Sequence, residues 1–195
     1  MTRHLLVLSA PSGAGKTTVA RHLLESFPFL RFSVSATTRT QRPGEQNGRD
    51  YFFLSRDEFK ARIASDDLIE YEEIFGNYYG TLRSVVQEAL NRGEFLIFDV
   101  DVKGALSLQK AFPDETVLLF IAPPSMEILA ERLRNRKTET TDQIETRLAR
   151  AEMEMGTRNH FDHVIVNDNL ASALDKAVAI VENTIEGSPR QERLF

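Results

Sequence analysis

The sequence predicts an α/β fold in which a doubly wound parallel sheet carries helices on both faces. Two observations lead to this prediction. Short apolar runs alternate along the 195 residues with segments of helical periodicity, and this alternation favours parallel strands joined by crossover helices. The runs are also apolar at consecutive positions, as expected for strands that are buried on both faces of a sheet.

Each strand is predicted from consecutive apolar residues, because a strand between two helical layers has no solvent-facing side. The predicted strands, in chain order, are 5–8, 32–35, 95–100, 117–121 and 164–166. Each helix is predicted from apolar residues that recur every three or four positions and so form one buried face. The predicted helices, in chain order, are 16–26, 56–65, 82–92, 102–111, 125–136, 142–156 and 170–186.

Two segments interrupt this alternation. Residues 36–50, ATTRTQRPGEQNGRD, are too polar for the core and too long for a simple connection, so they are predicted to form a binding loop. Short strands and turns of a small mixed β subdomain are expected next, at 51–55, 68–75 and 78–81. Residues 135–143, NRKTETTDQ, contain no apolar anchor and are predicted to form a mobile flap. The tail at 187–195 is expected to be disordered.

The most specific motif joins the first predicted strand to the first predicted helix. Residues 4–18 read HLLVLSAPSGAGKTT, an apolar run followed by a glycine-rich turn that ends in Lys16-Thr17. In this layout backbone N–H groups converge on a β-phosphate at the positive end of the helix, Lys16 reaches the β and γ oxygens, and Thr17 gives its hydroxyl to Mg²⁺. The residues assigned to this nucleotide-phosphate site are Ser12, Gly13, Ala14, Gly15, Lys16, Thr17 and Thr18.

One position departs from the usual pattern GxxxxGK[ST], because Ala10 stands where the first glycine is expected. A left-handed backbone at an alanine costs about 1–2 kcal/mol. Ala10 is therefore expected to have a negative φ. The alternative interpretation, a strand and a helix joined by a purely structural turn, is disfavoured because the strand, the turn, the Lys-Thr pair and the helix fall in register.

Composition narrows the class of protein. With 42% hydrophobic residues, the chain is predicted to form a single globular unit. Its net charge of −5 argues against bulk nucleic-acid binding. The sequence contains no cysteine, which excludes disulfides and thiolate zinc sites and favours a reducing compartment. No apolar stretch approaches the roughly 20 residues of a membrane span, so no membrane association is expected and the cytoplasm is the predicted location.

Two further segments follow the phosphate loop, SVSATTRTQRPGEQNGRDYFF at 33–53 and IEYEEIFGNYYGT at 69–81. With these segments the sequence resembles guanylate kinase, the family that phosphorylates GMP to GDP with ATP. The resemblance extends from about residue 4 to about residue 185 and includes APPS at 122–125 and VIVND at 164–168. It implies a P-loop NTPase fold and phosphoryl transfer from ATP to GMP, with dGMP as a further acceptor, in purine nucleotide metabolism.

The resemblance also implies a GMP site on the binding loop and the small β subdomain. Arg39 and Arg42 match arginines that clamp the GMP phosphate, since a planar guanidinium matches two phosphate oxygens. Glu70 matches the carboxylate that accepts from guanine N1–H and the exocyclic amino group, a pattern that adenine cannot supply. Taken singly, such residues are more often solvated or structural; as a matched set they indicate a site. The other implied GMP-binding residues are Ser35, Glu45, Tyr51, Tyr79, Thr81 and Asp101.

The run FLIFDVD at 95–101 ends in two alternating carboxylates that face the same side of the strand. Asp99 resembles the family residue that holds Mg²⁺ through water, and Asp101 matches a residue near the GMP base or the metal. A second interpretation stays open for Asp101, which would cap the helix predicted at 102–111. Lys103 stands where many relatives are expected to have a glutamine.

Arginines of the flap and of the helix after it complete the implied active site. Arg136 and Arg147 match family arginines that close over the ATP phosphates, and Arg132 is a candidate to join them. Cationic groups around the moving phosphoryl supply most of the catalysis in this type of reaction. The implied catalytic residues are Lys16, Arg39, Arg136 and Arg147.

The resemblance implies one domain over residues 1–186 with two moving parts, a GMP-binding subdomain at 36–81 and a lid at 135–156. The core is predicted to consist of 1–35, 82–134 and 157–186. Two alternatives remain open. One is a guanylate-kinase-like scaffold domain that binds phosphorylated peptides, and the other is a related P-loop kinase that acts on a sugar phosphate such as a ribose bisphosphate. The sequence leaves the oligomeric state open.

Overall fold

The computed structural model describes residues 3–74, 76–135 and 141–185. These residues contain two β-sheets, one of five strands and one of four. Nine strands are assigned within these ranges: β1 Leu5–Ser9, β2 Leu30–Phe32, β3 Ala36–Thr37, β4 Phe52–Phe53, β5 Leu68–Ile74, β6 Asn77–Leu82, β7 Phe95–Asp99, β8 Thr116–Ala122 and β9 His163–Val166. Seven α-helices lie between and after them: α1 Lys16–Ser26, α2 Arg56–Ala64, α3 Arg83–Asn91, α4 Val102–Ala111, α5 Met126–Asn135, α6 Thr141–Gly156 and α7 Leu170–Ile185.

The larger sheet has five strands in the order β2-β7-β1-β8-β9, and every pairing in it is parallel. The first strand, β1, lies at the centre, and the chain crosses to both sides of it. In such sheets the crevice outside the carboxyl ends of the central strands is where ligands bind. The phosphate loop and the carboxylates that follow β7 both lie at that edge, which confirms the predicted doubly wound α/β fold.

Side chains of β1 alternate between two hydrophobic cores, one on each face of the sheet. Leu6 and Leu8 pack on the side of α1 and α7, whereas Leu5 and Val7 pack on the side of α3 and α4. All five residues of β1 are buried. A strand buried on both faces favours apolar residues at consecutive positions, which explains the apolar run at 5–8 that precedes Ser9.

The smaller sheet has four strands in the order β4-β3-β6-β5. It is mixed, because β3 pairs with β4 in parallel and with β6 in antiparallel orientation. Helix α2 covers this sheet through Phe59, which is fully buried. A capping box starts α2, since Ser55 accepts from the backbone N–H of Glu58 and the Glu58 carboxylate accepts from the backbone N–H of Ser55.

Most boundaries differ from the prediction by a residue or two, and three segments differ in position or type. The strand predicted at 32–35 is Leu30–Phe32 instead, because β2 is an edge strand with only Leu30 buried, so its pattern is not apolar throughout. The segment predicted as loop at 36–50 begins with β3, which forms by pairing with distant residues of β4 and β6. Residues 141–143 of the predicted flap belong to α6, whereas 136–140 lie outside the described residues.

The predicted tail 187–195 also lies outside the described residues. Within the part of the chain that is described, no helix is both long enough and apolar enough to cross a membrane.

Candidate active site

The phosphate loop connects β1 to α1 with two residues in left-handed conformation, Gly13 at a φ of 92° and Gly15 at a φ of 106°. Among the described non-glycine residues only Asp66 has a positive φ, so the predicted negative φ of Ala10 is confirmed. The turn therefore depends on its two later glycines and not on the position that Ala10 occupies.

Gly15 is required for a second reason. A Cβ on Gly15 would collide with the side-chain amide of Asn167, which is buried and donates a hydrogen bond to the carbonyl of Ala14 at 2.8 Å. Asn167 directly follows β9, an edge strand of the larger sheet, and its side chain reaches the phosphate loop at the carboxyl ends of the parallel strands. Its amide holds the loop backbone in the conformation that opens α1.

Lys16 points from the first turn of α1 towards the end of β7. Its Nζ lies 2.5 Å from Asp99 Oδ1 and donates to the carbonyl of Val100 at 2.8 Å. Thr17 and Thr18 follow Lys16 on the same turn and are exposed. The structure thus brings Lys16 together with Asp99, as the sequence predicted, and Thr17 lines the cavity above the loop beside Lys16.

Arginines from α5 and α6 reach the same loop. Arg147 donates to the Ser12 hydroxyl at 2.7 Å, and Arg132 donates to the backbone carbonyl of Asn167 at 2.9 Å. The third predicted arginine, Arg136, lies outside the described residues. A cavity of about 530 Å³ opens above the loop. Its lining comprises Ala10, Pro11, Ser12, Gly13, Gly15, Lys16, Thr17, Thr18, Asp101, Arg147, Arg150 and Glu154.

A second cavity, of about 710 Å³, lies between β5 and α4. Four carboxylates line it, those of Glu70, Glu72, Asp101 and Glu154. Asp101 and Glu154 also line the cavity above the phosphate loop, as does Arg150. The two cavities are therefore adjacent.

Glu70 is held inside this second cavity by a neighbour on β6. Its Oε1 accepts a hydrogen bond from the Thr81 hydroxyl at 2.6 Å. Burial raises the pKa of Glu70, and the charges of Asp101 and Glu72 raise it further, whereas the bond from Thr81 lowers it. Gly80 leaves room for the Glu70 backbone, because a Cβ on Gly80 would lie 2.6 Å from the Glu70 carbonyl oxygen.

Asp101 caps α4, as one of its two interpretations predicted: Oδ1 accepts from the backbone N–H of Gly104 at 2.8 Å. Its other oxygen, Oδ2, accepts from Arg150 at 2.9 Å. The capping role and a place in the cavity thus coexist in one side chain.

Arg39 and Glu45 form a closely bonded pair in the loop between β3 and β4. Both terminal nitrogens of Arg39 donate to the Glu45 carboxylate, at 2.8 and 3.1 Å, and the backbone N–H of Arg42 donates to it at 2.8 Å. These bonds hold the pKa of Glu45 below its usual range. The Arg39 guanidinium lies 5.3 Å from the centre of the Tyr51 ring, which contacts Tyr79 edge-on.

The loop cluster of Arg39, Glu45, Tyr51 and Tyr79 lies outside the linings of both cavities. Ser35 is half-buried just before β3, and its carbonyl accepts from the backbone N–H of Phe52 at 2.9 Å. The structure therefore groups the predicted GMP residues in two places, one around Glu70 and Asp101 and one around Arg39.

A comparison of the chain with protein-family models agrees with the phosphate loop found here. The model for guanylate kinase covers residues 2–187. The chain belongs to the guanylate kinase family. A guanylate kinase of Chlorobium luteolum is 50% identical over 179 residues, 92% of this chain and 91% of the relative. A guanylate kinase of Chlorobaculum tepidum is 52% identical over 171 residues, 88% of each chain.

A solved structure agrees with this membership. The crystal structure of guanylate kinase from Anaplasma phagocytophilum has a TM-score of 0.69 to this chain at 34% identity, and the match covers 94% of this chain and 87% of that one. The resemblance to guanylate kinase that the three sequence segments indicated is confirmed.

Two residues of this guanylate kinase family member were missed by sequence reasoning. No role was predicted for Arg150 from the sequence, and its spacing of four residues to Glu154 was the available signal. Asn167 lies in the VIVND segment after β9, and a polar residue at the carboxyl end of a buried strand was the signal there.

Proposed function

We propose that this chain transfers the γ-phosphoryl group of ATP to GMP and so forms ADP and GDP. The observation that carries the proposal is the adjacency of the two cavities, which share Asp101, Arg150 and Glu154. Direct transfer needs the donor and acceptor groups in contact and in line. Two neighbouring cavities, one above a phosphate loop and one lined by carboxylates, suit that requirement.

ATP is assigned to the cavity above the phosphate loop. The backbone N–H groups of Ser12, Gly13, Ala14, Gly15, Lys16, Thr17 and Thr18 would surround its phosphates at the positive end of α1. Lys16 would reach the β and γ oxygens. Arg132, Arg136 and Arg147 would neutralise charge on the phosphates, and Arg147 already lies beside the loop at Ser12.

GMP is assigned to the region between the small sheet and α4. Glu70 would accept from guanine N1–H and the exocyclic amino group, and Asp101 would accept from the same amino group. The hydroxyls of Ser35 and Thr81 would lie on the O6 side of the base. The GMP phosphate would bind a group of side chains ordered by Glu45: Arg39, Arg42, Tyr51 and Tyr79.

Mg²⁺ is the expected metal, and the oxygen donors present fit it. Thr17 offers a hydroxyl and Asp99 a carboxylate at the loop, and Mg²⁺ in kinases takes one or two such ligands together with water and substrate phosphates. Among the residues described there is no group of three acidic or imidazole side chains that would make a protein-only site. Bound there, Mg²⁺ would neutralise charge on the ATP phosphates.

The protein is not required to supply a general base. The attacking oxygen of the GMP phosphate is already anionic near neutral pH, so alignment and positive charge are sufficient. Lys16, Arg39, Arg136 and Arg147 are the residues proposed to supply that charge. We further propose that the subdomain at 36–81 and the lid at 135–156 close over the core at 1–35, 82–134 and 157–186 to exclude water.

The proposal is tested by ADP release from ATP and Mg²⁺ with a panel of acceptors: GMP, dGMP, AMP, UMP, CMP and ribose 1,5-bisphosphate. Turnover with GMP, or with GMP and dGMP, and not with the others is the expected result. Turnover with the sugar phosphate instead would support a different P-loop kinase. GMP binding without turnover would support a scaffold domain. Residence in the cytoplasm and the absence of nucleic-acid and membrane partners remain predictions.

A further inference from the structure

Arg150 on α6 contacts carboxylates from three separate elements. Its guanidinium donates to Asp101 Oδ2 at 2.9 Å and to Glu154 Oε1 at 3.0 Å, and it lies 3.8 Å from Glu72 Oε1. Glu154 belongs to the same helix, Asp101 caps α4, and Glu72 lies on β5 two residues after Glu70. The Arg150 guanidinium thus connects α6 with the start of α4 and with β5 of the smaller sheet.

The bond to Asp101 fixes the orientation of that carboxylate. Its Oδ1 is bound to the backbone N–H of Gly104 and its Oδ2 to Arg150, so rotation about the terminal bond would break one contact or the other. Each carboxylate oxygen still has a second lone pair available to a ligand.

Gly104 places this fixed carboxylate beside Glu70. A Cβ on Gly104 would lie 3.3 Å from Asp101 Oδ1 and 3.4 Å from Glu70 Cγ. The Asp101 carboxylate and the Glu70 side chain thus both lie close to Gly104, and both residues line the same cavity, where one ligand can meet both.

The Arg150 guanidinium reduces charge repulsion among the carboxylates that surround it. Burial raises the pKa of Glu154, and the charge of Asp101 raises it further, while Arg150 lowers it. Without Arg150, Asp101 and Glu72 would lose their contacts with this guanidinium. Oδ2 of Asp101 would then lose the partner that fixes it, although Oδ1 would keep its bond to the Gly104 N–H. A lysine could pair with one of these carboxylates but lacks the planar fork that reaches two.

We infer that Arg150 is a positioning residue for guanine recognition: it holds Asp101 in the orientation that accepts from the exocyclic amino group of GMP. The inference rests on the proposed function. Its consequence is specific, because inosine monophosphate carries the same N1–H and O6 as GMP and lacks only that amino group. Arg150 therefore contributes to discrimination between these two nucleotides.

The test compares kcat/KM for GMP and for inosine monophosphate in the wild-type chain, Arg150→Gln and Arg150→Lys. Loss of a charged hydrogen-bond partner predicts a decrease of about tenfold for GMP in Arg150→Gln. The value for inosine monophosphate stays within about twofold, because its ring has no group for Asp101 to bind. Arg150→Lys restores part of the discrimination. The matched control is Arg134→Gln, an exposed arginine of α5 that lines neither cavity.

Equal losses for both nucleotides, or an undiminished preference for GMP in Arg150→Gln, would overturn the inference. Thermal melting of each variant shows whether it has folded. If Arg150→Gln does not fold, Arg150→Lys is the variant that tests the inference. Full wild-type discrimination in Arg150→Lys would contradict the need for a guanidinium that binds two carboxylates. A wild-type chain that does not phosphorylate GMP at all would instead overturn the proposed function.

Discussion

The hydroxyl of Thr81 donates to Glu70 Oε1 at 2.6 Å, and this bond opposes the effect of burial on the Glu70 carboxyl. Burial and the neighbouring carboxylates favour the protonated form of Glu70, whereas the Thr81 bond favours the charged form. Only the charged form can accept from both guanine donors. The contact between Thr81 and Glu70 in the smaller sheet therefore affects the affinity for GMP through the protonation state of Glu70.

Replacement of Thr81 by Val is expected to narrow the pH range of GMP binding. The Thr81 bond lowers the pKa of Glu70, so its loss raises that pKa further. As the pH falls, Glu70 becomes protonated sooner and KM for GMP begins to rise at a higher pH than in the wild-type chain. Thr81→Ser, which keeps the hydroxyl, is the control. Superimposable pH profiles for Thr81→Val and the wild-type chain would remove Thr81 from this role.

Replacement of Lys16 by Ala is expected to remove turnover and leave GMP binding nearly intact. Lys16 contacts Asp99 and Val100 beneath the phosphate loop, outside the lining of the Glu70 cavity. Loss of a positioned cation near the transferred phosphoryl predicts a decrease in kcat of at least about a hundredfold. Calorimetric titration with GMP supplies the second measurement. A loss of GMP affinity as large as the loss of rate would contradict the assignment of two separate sites.

Thr17→Ala is expected to raise the concentration of free Mg²⁺ that half-maximal turnover requires, because a hydroxyl ligand is lost. Thr17→Ser keeps the ligand atom and is expected to behave as the wild-type chain does. Excess chelator is expected to stop turnover in all three proteins. The measurement is a titration of rate against free Mg²⁺ at fixed ATP and GMP. The same midpoint for Thr17→Ala and Thr17→Ser would show that the hydroxyl is not a ligand.

Gly80→Ala is expected to destabilise the chain by about 1–3 kcal/mol, the usual cost of forcing an extra methyl into packed structure. The new Cβ would lie 2.6 Å from the carbonyl oxygen of Glu70 and 2.9 Å from Tyr71 Cβ. Because the backbone at Glu70 has to move, KM for GMP should rise as well. The matched control is Gly156→Ala, at the end of α6, where an added Cβ has no neighbour within 4 Å among the described residues. If urea unfolding gave both variants the free energy of unfolding of the wild-type chain, the close approach of Gly80 to the Glu70 carbonyl would be contradicted.

The sequence was most informative where a local pattern determines the structure. Helices α1 and α4 begin and end at the predicted residues, because each follows a motif at the end of a buried strand and has a regular apolar face. Strand β2 was misplaced because an edge strand lacks the unbroken apolar pattern. Strand β3 has only two residues and depends on partners that are 16 and more positions away in the sequence, such as Phe52.

The roles of the site residues were inferred by resemblance, residue by residue, and stay predictions. Arg150 was missed because its contacts with Asp101 and Glu72 join residues that are distant in the sequence, and because an arginine on a helix is most often a solvated side chain. The twofold engagement of Asp101, which caps α4 and also meets Arg150, could not be derived from the sequence either. The structure confirms the capping interpretation through Oδ1, whereas the contact of Oδ2 with Arg150 belongs to neither interpretation.

The most direct test of guanine recognition is the ratio of kcat/KM for GMP to kcat/KM for AMP in the wild-type chain and in Glu70→Gln. A carboxylate accepts from both guanine donors, whereas a glutamine must present an N–H₂ group to one of them. The account predicts a strong preference for GMP in the wild-type chain and a decrease of at least about tenfold in that ratio for Glu70→Gln. An unchanged ratio in a folded Glu70→Gln variant would contradict the assignment of the guanine site.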